Sequence, residues 1–199
     1  MEPERAADIR SMWGPENGDR PTPNPVNDAL FAGIGLEVAT DFPVSPKSVW
    51  DLVSDPTRIG EFSPECQAAR WIEGSDRTAT GARFEGTNRT TLDDGRIFEW
   101  IRPCTITRCE QPSLYEYVAH DRWDQPATRW SFRIEPTPDG CRAVHSMQIL
   151  PNGLSGLRLA ADADPSTARM LLDQRLPRLL RGIQDTLQQM HAHLMRESV

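Results

Sequence analysis

Three polar side chains stand among aromatic residues at strand-like positions of the sequence, and their types suit acid/base chemistry. They are His145, Arg102 and Tyr117. An imidazole titrates near neutrality and is able to move a proton at a carbon next to a carbonyl. A guanidinium is able to hold an enolate or carbonyl oxygen, and a tyrosine hydroxyl is able to share that role or donate a proton. We predict these three as catalytic residues of a reaction that needs no cofactor.

His145 and Arg102 each have an alternative explanation that involves no catalysis. His145 would serve structure alone if its ring were hydrogen-bonded to a neighbouring strand or helix. Arg102 would point to solvent if a one-residue bulge preceded Pro103. The sequence leaves these alternatives open.

The strands that carry these side chains are predicted from alternation of apolar and polar residues. In GARFEGTNRTT, at 81–91, the inward face begins with Phe84, narrows to Gly86 and then carries the amide of Asn88. A closed apolar core would gain nothing from that amide, whereas a pocket would use the glycine for space or a bend and the amide to address a ligand. Alternation on this and the later strands gives the predicted ligand-binding residues, which are Phe84, Asn88, Phe98, Trp100, Tyr115, Trp130, Phe132 and Met147.

The order of elements follows from the same periodicity. A strand at 35–44 is followed by two short helices, which begin after Ser45 and at Asp55-Pro56. Six strand-like segments follow, with turns such as the one at 93–95 between them. A long helix is predicted at 165–195, and Pro177 should kink it or split it near residue 176.

Composition limits the class of protein. The 199 residues are 38% hydrophobic and 26% charged, which is typical of one soluble domain. A net charge of −7 argues against nucleic-acid binding, and no apolar run is long enough for membrane insertion. The start, MEPERAADIR, lacks the apolar core of a secretion signal and predicts a cytoplasmic protein, as a monomer or homodimer.

Several kinds of site are not indicated by any spacing in the sequence. The four cysteines show no CxxC pair and are predicted to be free thiols, and no Cys, His or Asp cluster has metal-ligand spacing. Neither a nucleophile elbow nor a phosphate-binding glycine loop is present. We therefore predict no metal and no nucleotide cofactor.

The N-terminal part of the chain differs in composition from the rest. Residues 1–33 are rich in proline and glycine and predict a flexible arm, with 34–199 as the folded domain. The pair Met12-Trp13 would either dock on the body or a partner or belong to a mobile tail. Removal of the arm should then change stability little.

Several short sequence segments resemble the START-like or SRPBCC superfamily, and within it the group called polyketide cyclase/dehydrase and lipid transport. The segments are VWDLVSDPTRIGEFSPE (49–65), ARW (69–71), GARFEGTNR (81–89), Trp100 with Cys104, TRWSFRIEPTPDG (128–140) and GIQDTLQQM (182–190). The resemblance covers about 35–195. It implies an α+β helix-grip fold, in which seven antiparallel strands curl around the C-terminal helix and leave a ligand cavity between them.

What the resemblance implies about function is broader than one activity. The first hypothesis is a cyclase, aromatase or dehydratase of secondary metabolism that acts on an apolar, oxygenated, polyketide-like compound. The second is a carrier or sensor of a lipid-like or aromatic molecule without turnover. The third is an interaction role, such as a stress-response co-regulator that docks through the arm.

Overall fold

The computed structural model describes residues 18–91 and 95–197 of the chain. It contains a seven-stranded sheet, four α-helices and two short 3-10 helices. In chain order the elements are α1 Pro25–Phe31, β1 Gly35–Phe42, α2 Pro46–Val53, a 3-10 helix Pro56–Glu61, β2 Cys66–Ile72, β3 Arg83–Thr91, β4 Ile97–Glu110, β5 Leu114–His120, β6 Pro126–Thr137, β7 Gly140–Ile149, α3 Gly156–Ala163, a 3-10 helix Pro165–Thr167 and α4 Ala168–Glu197.

The sheet is antiparallel throughout, with strand order β1-β7-β6-β5-β4-β3-β2. Consecutive strands from β2 to β7 pair as hairpins, and β1 closes the far side by pairing with β7. The predicted helix-grip fold is therefore confirmed. The predicted turn at 93–95 lies partly outside the described residues.

Helix α4 lies against the concave face of the sheet and was predicted from its apolar repeat. Its C-terminal half packs Leu187 and Met190 against a core that includes Tyr115 and Phe132. The helix continues through Pro177, so the expected split at that position is wrong. Pro177 is exposed, so the carbonyl that its ring leaves without an N–H partner can be hydrated.

Helix α3 was not predicted from the sequence. It begins after Ser155, whose hydroxyl accepts a hydrogen bond from the backbone N–H of Arg158. The helix is short, and its buried face carries the charged Arg158 beside Ala161. An arginine at the innermost position interrupts the apolar pattern by which amphipathic helices are found.

Helix α1 corrects the expectation of a flexible arm for residues 18–33, the part of residues 1–33 that the structure describes. Asn24 caps the helix by accepting from the N–H groups of Val26 and Asn27, and Pro25 occupies its first turn. Phe31 is fully buried. Pro25, one of the prolines from which a flexible arm was predicted, is here part of a helix-start signal together with Asn24. Met12-Trp13 lies outside the described residues.

Ion pairs attach this N-terminal segment to the body. The fully buried Arg158 donates to Asp28 at 2.8 Å, to Asp162 at 2.9 Å and to the carbonyl of Asn24 at 2.7 Å. Arg20 pairs with the buried Asp121 at 3.1 Å. A buried charge is stable only when such partners surround it, so these contacts fix the segment to the folded domain.

Candidate functional site

A cavity of about 360 Å³ lies between the concave face of the sheet and helix α4. Such a volume is at the lower end of the range for small-molecule sites. Phe84, Trp100, Trp130 and Phe132 line it without filling it, as predicted.

The structure places every predicted site residue on the wall of this one cavity. The strands alternate without interruption over most of the concave face, which is why a period of two found the correct side. The predicted residues on the wall are His145, Arg102, Tyr117, Phe84, Asn88, Phe98, Trp100, Tyr115, Trp130, Phe132 and Met147.

One end of the cavity is closed by a row of side chains across three strands. The strand register sets Tyr115 opposite Phe132, and Phe132 opposite His145. The imidazole of His145 stacks on the Phe132 ring, with centroids 3.9 Å apart and planes 7° apart. All three side chains are at most 5% exposed, so this end is sealed from solvent.

His145 is held as a neutral ring. Its Nδ1 lies 3.0 Å from the carbonyl oxygen of Ser131, which only accepts, so Nδ1 carries the proton and Nε2 is left as an acceptor. Burial lowers the pKa of His145 to about 4, against a smaller opposite effect of that hydrogen bond. The expectation of an imidazole that titrates near neutrality is therefore wrong. The structural alternative, a ring hydrogen-bonded to a neighbouring strand, holds for the Nδ1 atom.

The two tyrosines are neutral hydroxyl donors. Burial raises the pKa of both Tyr115 and Tyr117 well above the ordinary value. The hydroxyl of Tyr115 is buried and has no hydrogen-bond partner within 18–91 and 95–197. A buried hydroxyl without a partner loses the free energy of its hydrogen bonds to water, and a ligand oxygen would restore that loss.

Arg102 is at the other end of the cavity. The register pairs it with Gly86 and continues through Pro103 without a shift, so the predicted alternative of an outward-turning bulge is not found. Burial lowers the pKa of Arg102 to about 10, and the nearby Asp121 opposes that shift. The guanidinium is still protonated at neutral pH and places a positive charge in the cavity.

Arg102 and His145 line the same cavity but do not converge. Cys104 is opposite Ala119, Ala119 is opposite Thr128, and Thr128 is opposite Ile149. Along the strands Arg102 lies two residues beyond that row in one direction, and His145 lies four residues from it in the other. At about 3.3 Å per residue, the two positions are roughly 20 Å apart along the strands.

The narrow stretch of β3 has a local explanation. A Cβ added to Gly86 would lie 3.2 Å from the Sγ atom of Cys66, so the glycine makes room for that thiol. The side-chain amide of Asn88 donates to the carbonyl oxygen of Gly86 at 3.1 Å. The space was predicted for a ligand, and in this structure Cys66 uses part of it.

The described cysteines are all free thiols, as predicted. Cys66 and Cys104 line the cavity. Burial raises the pKa of Cys66 to about 11 and that of Cys104 further, so both remain protonated. A thiol in this state is a poor nucleophile.

Sequence reasoning missed the helical wall of the cavity. A stripe on α4 faces it at steps of four, three, four and four residues, and consists of Leu171, Arg175, Arg178, Gly182 and Thr186. Arg175 pairs with Glu65, also on the wall, at 2.6 Å. The spacing is present in the sequence, but this stripe is partly charged, and the neighbouring apolar stripe that forms the core gives the clearer helical signal.

His120 also lines the cavity, although strand parity alone would place it at the rim or in solvent. The pairing of β5 with β6 shifts between Ala119 and His120. Its Nε2 lies 2.9 Å from the hydroxyl of Thr105. Where the register shifts at the end of a strand, alternation no longer predicts the direction in which a side chain points.

A comparison with family models matches residues 34–182 to the family described as polyketide cyclase / dehydrase and lipid transport. The chain belongs to this family. The match confirms the resemblance to the SRPBCC superfamily and supports a ligand-binding protein of that superfamily. No curated protein matches the chain.

Solved structures of bacterial proteins share the fold. A Polyketide_cyc-like protein of Corynebacterium glutamicum is 24% identical, with a TM-score of 0.58 over 83% of this chain and 93% of that one. A protein of Nitrosomonas europaea is 13% identical, with a TM-score of 0.55 over 83% and 96%. A protein of Mycobacterium smegmatis is 16% identical, with a TM-score of 0.54 over 83% and 93%.

No group of three or more histidine, cysteine or acidic side chains could hold a metal ion within 18–91 and 95–197. Over the same ranges, none of the helices combines the length and apolar character needed to cross a bilayer.

Proposed function

We propose that this member of the family binds and holds one elongated, largely apolar, oxygenated small molecule, as a carrier or sensor. The observation that supports the proposal is the separation of polar groups within an aromatic-walled cavity. Arg102 lies at one end, and His145 and Tyr115 lie at the other. Groups this far apart orient the two ends of a ligand rather than act on one reacting carbon.

Gly182 offers a direct test of binding in the cavity. It lies on the cavity-facing stripe of α4, and an added Cβ would meet only Pro64, at 3.8 Å. Gly182→Leu should therefore place its side chain in the cavity without straining the backbone, and should favour the helix by about 0.5–1 kcal/mol. We expect it to weaken binding of the neutral probe N-phenyl-1-naphthylamine at least about tenfold while the melting temperature stays the same or rises.

Gly182→Ala is the matched control. It adds the same helix preference but only one methyl group, so probe affinity should stay within about threefold of the unmodified chain. Fluorescence titration gives the affinity, and thermal unfolding gives the stability. Equal probe binding by the leucine variant, or no binding by the unmodified chain, would contradict the proposed cavity function.

The closed end supports a second candidate, the predicted cyclase, aromatase or dehydratase. There a neutral imidazole offers Nε2 as an acceptor in the same row as the buried Tyr115 hydroxyl. In this mechanism His145 takes the proton next to a carbonyl, and a tyrosine hydroxyl stabilises the oxygen. Arg102 would hold the far end of the substrate rather than the reacting oxygen.

Substitution of His145 distinguishes the two candidates. If the protein is an enzyme, His145→Gln should lower turnover of a synthetic poly-β-keto thioester about 10²-fold or more and leave its affinity nearly unchanged. His191→Gln is the control, since His191 packs against Phe42 and is not on the cavity wall. Turnover that survives the His145 change would remove that residue from the mechanism.

A further inference from the structure

The charged residues on the described part of the cavity wall are mostly of one sign. Within 18–91 and 95–197, Arg102, Arg175 and Arg178 line the cavity together with one carboxylate, Glu65, in a chain whose net charge is −7. An acidic protein as a whole repels anions, so the larger number of arginines than carboxylates among the described lining residues is a local feature. The described part of the wall therefore differs in its charged residues from the molecule as a whole.

The three arginines lie at the same end of the cavity. Arg102 is paired with Gly86, and Asn88, two residues along β3, is paired with Cys66, which follows Glu65. Glu65 in turn holds Arg175 at 2.6 Å. Arg178 is one helical turn from Arg175 on the stripe that faces the cavity.

This end is the open one. The side chains of Arg175 and Glu65 are 24% and 28% exposed, and Arg178, Asn88 and Trp100 are partly exposed as well. At the opposite end the aromatic row is sealed. A ligand that enters from solvent therefore meets the arginines first and buries its apolar part beyond them.

We infer that the ligand is an amphipathic acid, whose carboxylate or equivalent anionic oxygen group lies among Arg102, Arg175 and Arg178 while its apolar body extends toward Tyr115 and Phe132. The inference rests on the proposed function and adds the chemical class of the ligand. Arginine is suited to this role because its planar guanidinium binds a carboxylate with two parallel hydrogen bonds. In a cavity with apolar walls such a contact is stronger than in water.

Three probes of equal chain length test the charge preference. They are decanoate, decanol and decyltrimethylammonium, each measured by displacement of N-phenyl-1-naphthylamine from the full chain at pH 7. Decanoate should displace the probe at a concentration at least about tenfold lower than decanol, and the cation should be the weakest, because only the acid gains charge-assisted hydrogen bonds.

Substitutions at the open end test the position of the acid group. Arg102→Met and Arg178→Met should each reduce the decanoate-to-decanol preference about fivefold or more and leave decanol affinity nearly unchanged. Glu65→Gln should act in the opposite direction and increase the preference about threefold, because it removes the carboxylate that competes for Arg175. Arg181→Met is the control, since Arg181 is exposed on the same helix and does not line the cavity.

The possible outcomes distinguish a failure of this inference from a failure of the proposed function. Equal binding of acid and alcohol, or a preference unaffected by the arginine substitutions, overturns the inference while binding of the neutral probe upholds the proposed function. Absence of probe binding by the unmodified chain overturns both.

Discussion

A chain that begins at residue 34 is expected to be less stable than one that begins at residue 18 by about 4 kcal/mol. The shorter chain loses the burial of Phe31 and leaves Arg158 without Asp28 and the carbonyl of Asn24. Of its three partners Arg158 keeps only Asp162, so the removal also costs two hydrogen bonds of a buried guanidinium. Urea unfolding of both chains measures the difference.

A double-mutant cycle shows whether the ion cluster is the cause. Arg158→Met should destabilise the chain that begins at residue 18 by about 3 kcal/mol, since it leaves two carboxylates without their cation. In the chain that begins at residue 34 the same change should cost less than about 1 kcal/mol, because the charge is already poorly compensated. Equal costs in both chains would show that α1 and Arg158 contribute independently.

The second large effect is the dependence of stability on pH through His145. Its pKa is about 4 in the folded protein and near the ordinary 6.5 in the unfolded chain, because burial disfavours the charged ring. The unfolded chain therefore binds more protons between these values, and stability falls as pH falls from about 6.5 to 4. The contribution of this one group over that window is about 3 kcal/mol.

His145→Gln removes the titrating ring while an amide can still donate to the carbonyl of Ser131. The variant should lose about 3 kcal/mol less stability than the unmodified chain between pH 7 and pH 4, whatever its stability at pH 7. Urea unfolding at several pH values gives both curves, and carboxylates that titrate in the same window cancel in the comparison. Parallel curves would mean that His145 is not held neutral by burial.

The sequence by itself determined the sheet and its inward face. On β5 and β6 the large side chains recur at every second position, as at Tyr115, Tyr117, Trp130 and Phe132, and strand geometry converts that period directly into one face. The long helix α4 was also predicted from the sequence, because its apolar residues recur at steps of three and four. Periodicity is a local property, so it can be found without knowledge of the partners.

Tertiary structure alone decided how the site residues are distributed. Alternation could place Arg102 and His145 on one face, but their separation depends on the register of four strands, which the sequence does not state. The same register also places Arg102 near the end of the cavity at which Arg175 of α4 lies. The chemistry first predicted for one centre is therefore divided between two ends of a cavity.

The same holds for the state of individual groups. His145 was expected to titrate near neutrality because an isolated imidazole does. Burial against Phe132 lowers its pKa, and the hydrogen bond to the Ser131 carbonyl opposes that shift only in part. Residues near Phe31 looked like a flexible arm because few apolar groups are adjacent there in sequence. This segment is held by Arg158 and Asp162 of α3, which lie more than a hundred residues later in the sequence. Composition describes neighbours along the chain, whereas burial and charge pairing depend on neighbours in space.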